Sequence, residues 1–326
     1  MVDPYSVFDI KNFSEFQEVA LAVFRHQAEH VSVYRDFVEL MKVDSKKVKR
    51  LEEIPFLPIR FFKQYPIIEN QCKPEKIFSS SGTTGQNTSQ HLVADLALYH
   101  HSLSACFRHF YGDLSDYCIF ALLPSYLERE GSSLIDMVAY WLEESDTSFG
   151  GFYLYNHQQL HTDLLACEKA GKKAILIGVS FALLDFVAHY PMQLSQTIVM
   201  ETGGMKGRKK EITRTELHTI LKKGFGTKHI HSEYGMTELL SQAYLREKGV
   251  FESPNWMHIL IRETEDPLTF VEQGKTGGVN VIDLANFHSC SFIATDDLGR
   301  KLSPQTFEIM GRFDHADVRG CNLMVV

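Results

Sequence analysis

Ala174-Ile175-Leu176-Ile177-Gly178-Val179 carries no polar side chain, and no other stretch restricts the fold of this chain as strongly. A strand with one wet face alternates apolar and polar residues, so an unbroken apolar run reads as a strand buried on both sides. Tyr117-Cys118-Ile119-Phe120-Ala121-Leu122-Leu123, stopped by Pro124, has the same texture. Shorter strands are expected over Thr197-Ile198-Val199-Met200 and Lys228-His229-Ile230-His231. Helical patterns lie between them. Residues 134–142 gather Met137, Val138 and Trp141 on one side, while Ser180 is placed to cap a helix through Phe181, Leu184, Asp185 and Ala188. Solid strands separated by helices imply an α/β fold with a mostly parallel sheet flanked by helices. Upstream, Ser14-Glu15-Phe16-Gln17 reads as a capping-box start to an amphipathic helix bearing Phe16, Val19, Ala20, Val23 and Phe24. After about residue 250 the segments 257–261, 279–284 and 290–294 read as strands with no helix between them. The expected division is an α/β core over residues 1–250 and a small β-rich subdomain over 251–326.

Composition narrows the function classes. A chain of 326 residues can build one large domain and a small one. Its net charge of -8, from 33 Lys+Arg against 41 Asp+Glu, argues against nucleic acid as the main partner. No apolar run approaches a membrane span, and Met1-Val2-Asp3-Pro4 does not open a signal peptide. Cys72, Cys106, Cys118, Cys167, Cys290 and Cys321 form no CxxC pair. That spacing suits neither a zinc site nor a disulfide framework, so reduced thiols in a cytoplasm are expected.

The stretch Ser79-Ser80-Ser81-Gly82-Thr83-Thr84-Gly85 is a poor helix or strand and a good cradle for phosphate. Glycine lets backbone N–H groups approach closely, and hydroxyls add donors. Ile77-Phe78 reads as the end of a buried strand leading into it. It is not the common P-loop, because Gln86 follows Gly85 where Lys would be needed. Four further segments keep it company. Glu201-Thr202-Gly203-Gly204 follows a strand, and its glycines let the backbone pass close to a flat ligand. Tyr234-Gly235-Met236-Thr237-Glu238 offers an aromatic face, a hydroxyl and a carboxylate. Thr295-Asp296-Asp297 puts two acids at an expected strand end, and Gly311-Arg312-Phe313-Asp314 comes last. Each is ordinary as a loop. In this order they read as one nucleotide site assembled from successive turns.

On these motifs the chain resembles the adenylate-forming superfamily of acyl-CoA synthetases, adenylation domains and luciferases. The superfamily signature is a Ser/Thr/Gly-rich loop, then Tyr-Gly-x-Thr-Glu, Thr-Gly-Asp and Gly-Arg-x-Asp. Here the third motif reads Thr295-Asp296-Asp297, which puts the ribose-binding carboxylate on Asp297. Within the superfamily the chain is most similar to the acyl-protein synthetase family of bacterial bioluminescence. That likeness rests on Phe56-Leu57-Pro58-Ile59-Arg60-Phe61-Phe62-Lys63, on Leu123-Pro124-Ser125-Tyr126-Leu127-Glu128-Arg129 with Gly131-Ser132-Ser133-Leu134, on residues 200–206 and on Arg319-Gly320-Cys321.

The resemblance implies ATP and Mg²⁺ as cofactors and a fatty acid as substrate. Ser79, Ser80, Ser81, Gly82, Thr83, Thr84 and Gly85 would surround the phosphates, with Gly203, Gly204 and Gly235 lining the nucleotide. Tyr234 would stack on adenine. Thr237, with Thr83 or Thr84, would donate to the α-phosphate, and Glu238 would ligate Mg²⁺. Asp297 and Arg312 would hold the ribose. Superfamily members usually continue into a mobile C-terminal domain carrying a Lys for adenylation and a tunnel for coenzyme A. The given sequence stops at Val326, so that domain is expected to be missing and Cys321 becomes the implied acyl acceptor. A thiolate is nucleophilic, and Arg319 two residues away favours it. The acyl group would pass to an acyl-CoA reductase-type partner. Two other readings stand beside this one: a truncated carboxylate– or aryl–coenzyme A ligase using free coenzyme A, and a non-catalytic nucleotide-binding subunit.

Other residues invite restraint. His229 and His231 alternate without a third ligand, and His231 either lines the acyl or adenylate pocket or satisfies a core hydrogen bond. Ser132 reads as a helix cap rather than a nucleophile.

Overall fold

The computed structural model describes residues 2–80, 88–124, 131–203 and 212–313. In chain order it comprises helices α1 (Phe13–His30) and α2 (Ser32–Leu40), then strands β1 (Leu57–Pro58), β2 (Lys76–Ser79) and β3 (Gln90–Val93). There follow α3 (Leu96–Tyr111), β4 (Tyr117–Leu122), α4 (Ser133–Glu144), β5 (Gly150–Tyr153), α5 (His157–Lys169) and β6 (Lys173–Val179). Next come α6 (Ser180–His189), β7 (Thr197–Thr202), α7 (Arg214–Phe225) and β8 (His231–Tyr234). The remainder is strand: β9 (Ala243–Leu245), β10 (Phe251–Glu252), β11 (Met257–Arg262), β12 (Thr276–Asp283), β13 (Phe292–Lys301) and β14 (Thr306–Arg312).

One twelve-stranded sheet organises almost everything, in the order β11-β12-β13-β14-β10-β9-β8-β7-β6-β4-β5, with β1 pairing beside β13. Strands β5, β4, β6, β7 and β8 run parallel, and β8 onward is antiparallel. Every residue of β4 is buried, as is β6 from Ala174 to Val179, as the unbroken apolar runs require. Gly178 interrupts neither the run nor the strand. A Cβ there would meet Leu183 at 2.8 Å and the Leu122 carbonyl at 3.2 Å, so the close approach of α6 needs its absence.

Three local expectations are corrected. Helix α1 is capped by Asn12, which accepts from the Glu15 N–H at 3.0 Å, rather than by Ser14. Glu15 in turn accepts at 2.9 Å from the N–H of Lys11, the residue before the cap, so the helix starts two residues earlier than the Ser/Thr pattern suggested and without a capping box. Ser180 begins α6 without capping it. The strand expected over 228–231 runs over His231–Tyr234 instead, because 227–230 is used to cross from the end of α7 to the sheet.

The last α-helix among the described residues ends at Phe225, and the sheet runs on through residue 250. Strand β10 pairs with β9 on one side and β14 on the other. The N-terminal helices pack on the late strands. Phe24 and Tyr34 lie against Phe292 with ring centroids 5.9 and 6.0 Å apart. Buried Gln27 reaches the carbonyls of Asn286 and Phe287 at 2.9 and 2.8 Å. The first and last thirds of the chain therefore share one core.

The two halves of the sheet are pinned where β12 ends. Asp283, fully buried, accepts from the backbone N–H groups of Leu240 (3.0 Å), Ser241 (2.9 Å) and Ala285 (3.2 Å) and from the Ser241 hydroxyl (2.6 Å). That hydroxyl also accepts from the Trp256 indole N–H at 2.9 Å and meets Ser102 of α3 at 3.1 Å. Asp283→Ala would leave buried donors without an acceptor. It is expected to cost about 3 kcal/mol, against roughly 1 kcal/mol for Ser102→Ala, measured by urea unfolding. A loss for Asp283→Ala no larger than that for Ser102→Ala would refute this ranking.

Candidate active site

Parallel strands end together at one edge of the sheet, and that edge collects polar side chains. Val179, Thr202 and Tyr234 close β6, β7 and β8 in register, with Gly178 opposite Glu201 and Thr202 opposite Glu233. The Ser180 hydroxyl donates to the Gly203 carbonyl at 2.7 Å and lies 3.0 Å from Glu201 Oε2. It therefore fastens the turn after β7 instead of capping its own helix. Gly203 takes a positive φ of 65°, which a side chain would resist. Glu201, buried, also faces Arg214 Nε at 3.7 Å and His218 Nε2 at 3.6 Å from α7.

Glu233, on β8, accepts from the Thr202 hydroxyl at 2.5 Å. Desolvation pushes its carboxyl up to about 7, with the neighbouring Glu201 adding to the rise and Thr202 opposing it. Gly235 leaves room for this carboxyl, since a Cβ there would meet Glu233 Oε1 at 2.2 Å.

Beyond β8 the chain turns through Met236, Thr237 and Glu238 before returning as β9. Two contacts hold this turn. Asn286 donates from Nδ2 to the Glu238 carbonyl at 2.8 Å. His91, fully buried on β3, lies 2.9 Å from the Thr237 carbonyl through Nδ1 and 2.8 Å from the Ser289 hydroxyl through Nε2. Burial lowers this imidazole to about 4, so it is neutral. A carbonyl can only accept, so Nδ1 carries the proton and Nε2 accepts from Ser289. The Glu238 carboxyl is buried, and desolvation raises its proton affinity while a hydrogen bond from Ser89 opposes the rise.

Ser89 also ties the hydroxyl-rich loop to this turn. The Ser80 N–H donates to the Ser89 carbonyl and the Ser89 N–H to the Ser80 hydroxyl, both at 3.0 Å. The two ends of the loop are therefore clasped together beside Glu238. The strand before the loop, which the sequence reads as buried at Ile77-Phe78, lies outside the large sheet. Strand β2 pairs only with β3 in a two-stranded antiparallel ribbon. Phe78 is buried while Ile77 is 43% exposed, so the ribbon has one covered face and lies over the sheet edge. The Ser79 N–H donates to the Gly131 carbonyl at 2.7 Å, anchoring the other side.

A third cluster closes the site. Tyr234 is buried, its ring packed beside Phe251 and Phe307 at 5.7 and 5.6 Å, and its hydroxyl donates to Asp297 Oδ2 at 2.8 Å. Asp297 Oδ1 accepts from Arg312 Nε at 3.1 Å. Asp297 does not sit at a strand end as expected. Strand β13 continues to Lys301, and Asp297 pairs in register with Arg312 across the β13–β14 hairpin. The Asp297 side chain is 8% exposed and that of Arg312 77%, so the arginine lies over the rim.

Of the residues singled out in the sequence, Ser79, Ser80, Gly203, Tyr234, Gly235, Thr237, Glu238, Asp297 and Arg312 fall along this connected edge. Ser81, Gly82, Thr83, Thr84, Gly85, Gly204 and Cys321 lie outside the described residues. His231 starts β8 at the end opposite Tyr234 and bonds the Tyr111 hydroxyl at 3.1 Å, so it satisfies a core hydrogen bond. Ser132 caps α4, accepting from the Ile135 N–H. Sequence reasoning missed Ser89, His91 and Glu233. Only Glu233 had a signal, as an acid inside the strand that leads to Tyr234-Gly235.

This architecture is that of the adenylate-forming enzymes. A 2-hydroxyisobutyryl-CoA ligase solved with 2-HIB-AMP and CoA superposes with a TM-score of 0.68 at 12% identity, covering 94% of this chain and 72% of that one. ATP-bound MatB from Rhodopseudomonas palustris gives 0.54 at 14% identity, over 72% of this chain and 47% of that one. Residues 2–326 match the family model described as acyl-protein synthetase, LuxE, and the chain belongs to that family of ligases. The long-chain-fatty-acid–luciferin-component ligase of Photorhabdus luminescens is 33% identical over 70 residues, 21% of this chain. The match spans 60% of that relative's length. Among the described residues no helix is long and apolar enough to cross a membrane.

Glu233 has a pH signature. A carboxyl raised on folding binds its proton more tightly in the native state, so its contribution to stability is complete below about pH 4.5 and is lost as pH rises through about 7. Glu233→Gln is expected to flatten the fall in urea midpoint across that interval. An unchanged slope in the variant would show that Glu233 does not titrate there.

Proposed function

We propose that this chain uses ATP to activate a long-chain carboxylic acid as its acyl-adenylate and then carries the acyl group as a thioester on Cys321. The observation that carries this reading is one sheet edge on which the foot of the Ser/Thr/Gly loop is tied through Ser89 to Glu238, and the Thr237–Glu238 turn follows directly on Tyr234 of the Tyr234–Asp297–Arg312 cluster. Membership of the acyl-protein synthetase family supports it.

In this reading adenine lies against Tyr234, and the ribose hydroxyls reach Asp297. A carboxylate offers about four lone-pair positions, so Asp297 can accept ribose hydroxyls while keeping the bonds from Tyr234 and Arg312. Arg312, largely exposed, can turn onto the sugar without disturbing the core. The loop over 79–85 and Thr237 supply donors to the phosphates. Glu238 fits Mg²⁺, because a buried carboxyl with raised proton affinity, and no ion-pair partner among the described residues, gains from a hard cation. Bound there, the ion would neutralise charge on phosphate oxygens.

The substrate carboxylate attacks the α-phosphorus, and the bond to the bridging oxygen breaks as pyrophosphate leaves. The Cys321 sulfur, having lost its proton, then attacks the acyl carbonyl, and AMP leaves with the electron pair of the broken C–O bond. The protein contributes positioning and preorganised donors to both steps. A reducing cytoplasm would keep that thiol available, and a reductase-type protein accepting acyl groups is the fitting recipient.

Two measurements test this. Carboxylate-dependent ATP–pyrophosphate exchange should fall roughly 100- to 1,000-fold in Thr237→Ala, the usual cost of one lost transition-state donor, with a comparable loss in Glu238→Gln. Radiolabelled fatty acid with ATP should leave hydroxylamine-labile label on the chain. That label should vanish in Cys321→Ser while exchange persists. Label retained by Cys321→Ser, or efficient transfer to free coenzyme A independent of Cys321, would replace the thioester reading with that of a coenzyme A ligase.

A further inference from the structure

Where α1 ends, three segments bring together side chains that the proposed adenylation does not use. Donor atoms of Glu69, Cys72 and His288 all lie within 4.8 Å of one another, each side chain partly buried. Glu69 Oε2 is 2.7 Å from His288 Nδ1 and 3.9 Å from Cys72 Sγ. The other carboxylate oxygen, Oε1, lies 3.2 Å from His26 Nε2. That nitrogen is buried and makes no hydrogen bond of good geometry among the described residues. The His26 ring is held between His30 (4.4 Å) and Phe287 (4.8 Å).

The backbone is fixed around this cluster. The Glu69 N–H donates to the His288 carbonyl at 2.8 Å, the Asn70 N–H to the His30 carbonyl at 2.9 Å, and the Cys72 N–H to the Glu69 carbonyl at 2.9 Å. The side chains therefore project from a tied corner rather than a loose loop.

We infer that Glu69, Cys72 and His288 form a binding site for a transition-metal dication of the zinc class, with His26 Nε2 lying beside the second oxygen of Glu69. Thiolate, imidazole and carboxylate together select Zn²⁺ over Mg²⁺ or Ca²⁺, which take oxygen ligands. Ligand atoms around a tetrahedral zinc are about 3.3–3.6 Å apart, from bond lengths of roughly 2.0–2.3 Å. The 2.7 and 3.9 Å separations bracket that range, and shifts of under about an ångström would meet it. On binding, Cys72 releases its thiol proton to solvent and the proton on His288 moves from Nδ1 to Nε2. The fourth position is left to water. Linear spacing hides such a site, since its ligands come from separate segments and only Glu69 and Cys72 are near in sequence.

A metal here would brace the loop that also organises the nucleotide edge. Ser289, next to His288, bonds His91, which bonds the Thr237 carbonyl, and Asn286 holds the Glu238 carbonyl.

The test needs only metal and the untagged full chain, stripped with chelator, so it is independent of the adenylation reading. Calorimetry with Zn²⁺ should give one equivalent per chain, unaffected by excess Mg²⁺. Co²⁺ in its place should show the intense visible bands of a tetrahedral ion and a thiolate charge-transfer band. Cys72→Ser should abolish that band and Cys321→Ser should retain it. His288→Asn should weaken Zn²⁺ binding by roughly ten-fold or more. Both corner variants should melt like the parent chain without metal, showing that the fold survives. Binding below one equivalent, displacement by Mg²⁺, or a charge-transfer band that persists in Cys72→Ser would overturn the assignment.

Discussion

A buried carboxylate with no ion-pair partner among the described residues holds this molecule together at its most consequential joint. Asp283, at the end of β12, reaches the segment that joins β8 to β9, where the sheet turns from parallel to antiparallel, and takes donors from Leu240, Ser241 and Ala285. The segment it grips leaves the strand ladder after Tyr234, so its N–H groups would otherwise be buried without acceptors. Thr237 and Glu238 owe their position to this grip, reinforced by Asn286 and His91. Burying an anion is costly unless hydrogen bonds replace its water, and here they do so in one stroke with fixing the turn.

The edge that would face a polyphosphate is rich in acids: Glu201, Glu233, Glu238 and Asp297. Its chemistry is coherent because burial shifts several of these groups away from charge. Glu233 is raised to about 7 and Glu238 is raised as well. His91, lowered to about 4, acts as a neutral donor to a carbonyl instead of a cation. In the proposed reading such a site would present N–H and O–H donors to phosphate and leave charge balance to a metal ion and to Arg312 at the rim. Electrostatic stabilisation by preorganised dipoles then carries more of the chemistry than fixed positive side chains would.

Much of this was legible beforehand, for reasons that differ from segment to segment. The apolar runs at 117–123 and 174–179 could only be doubly covered strands, and they are. The motif residues Tyr234, Glu238, Asp297 and Arg312 were visible because they stand, in order, where the motifs of the resembled superfamily place them. Capping was misread at Ser14 and Ser180, since a hydroxyl before an apolar helix is also free to bond elsewhere, as Ser180 does with Gly203. The division expected at residue 250 followed helix content, and the sheet pairing across it, β10 with β9 and β14, had no signal in the sequence. Ser89 and His91 had no local signature, because their partners lie in other segments.

Local pattern thus sufficed for the class of fold, which depends on side-chain type and periodicity along the chain, and motif resemblance for the order of the turns that meet at the sheet edge. Tertiary structure alone decided that β2–β3 lies as a separate ribbon over the sheet edge, that β13 carries Asp297 mid-strand opposite Arg312, and that Glu69, Cys72 and His288 meet. Those outcomes depend on which distant segments satisfy one another's buried polar groups, and that is a property of the packed chain rather than of any stretch within it.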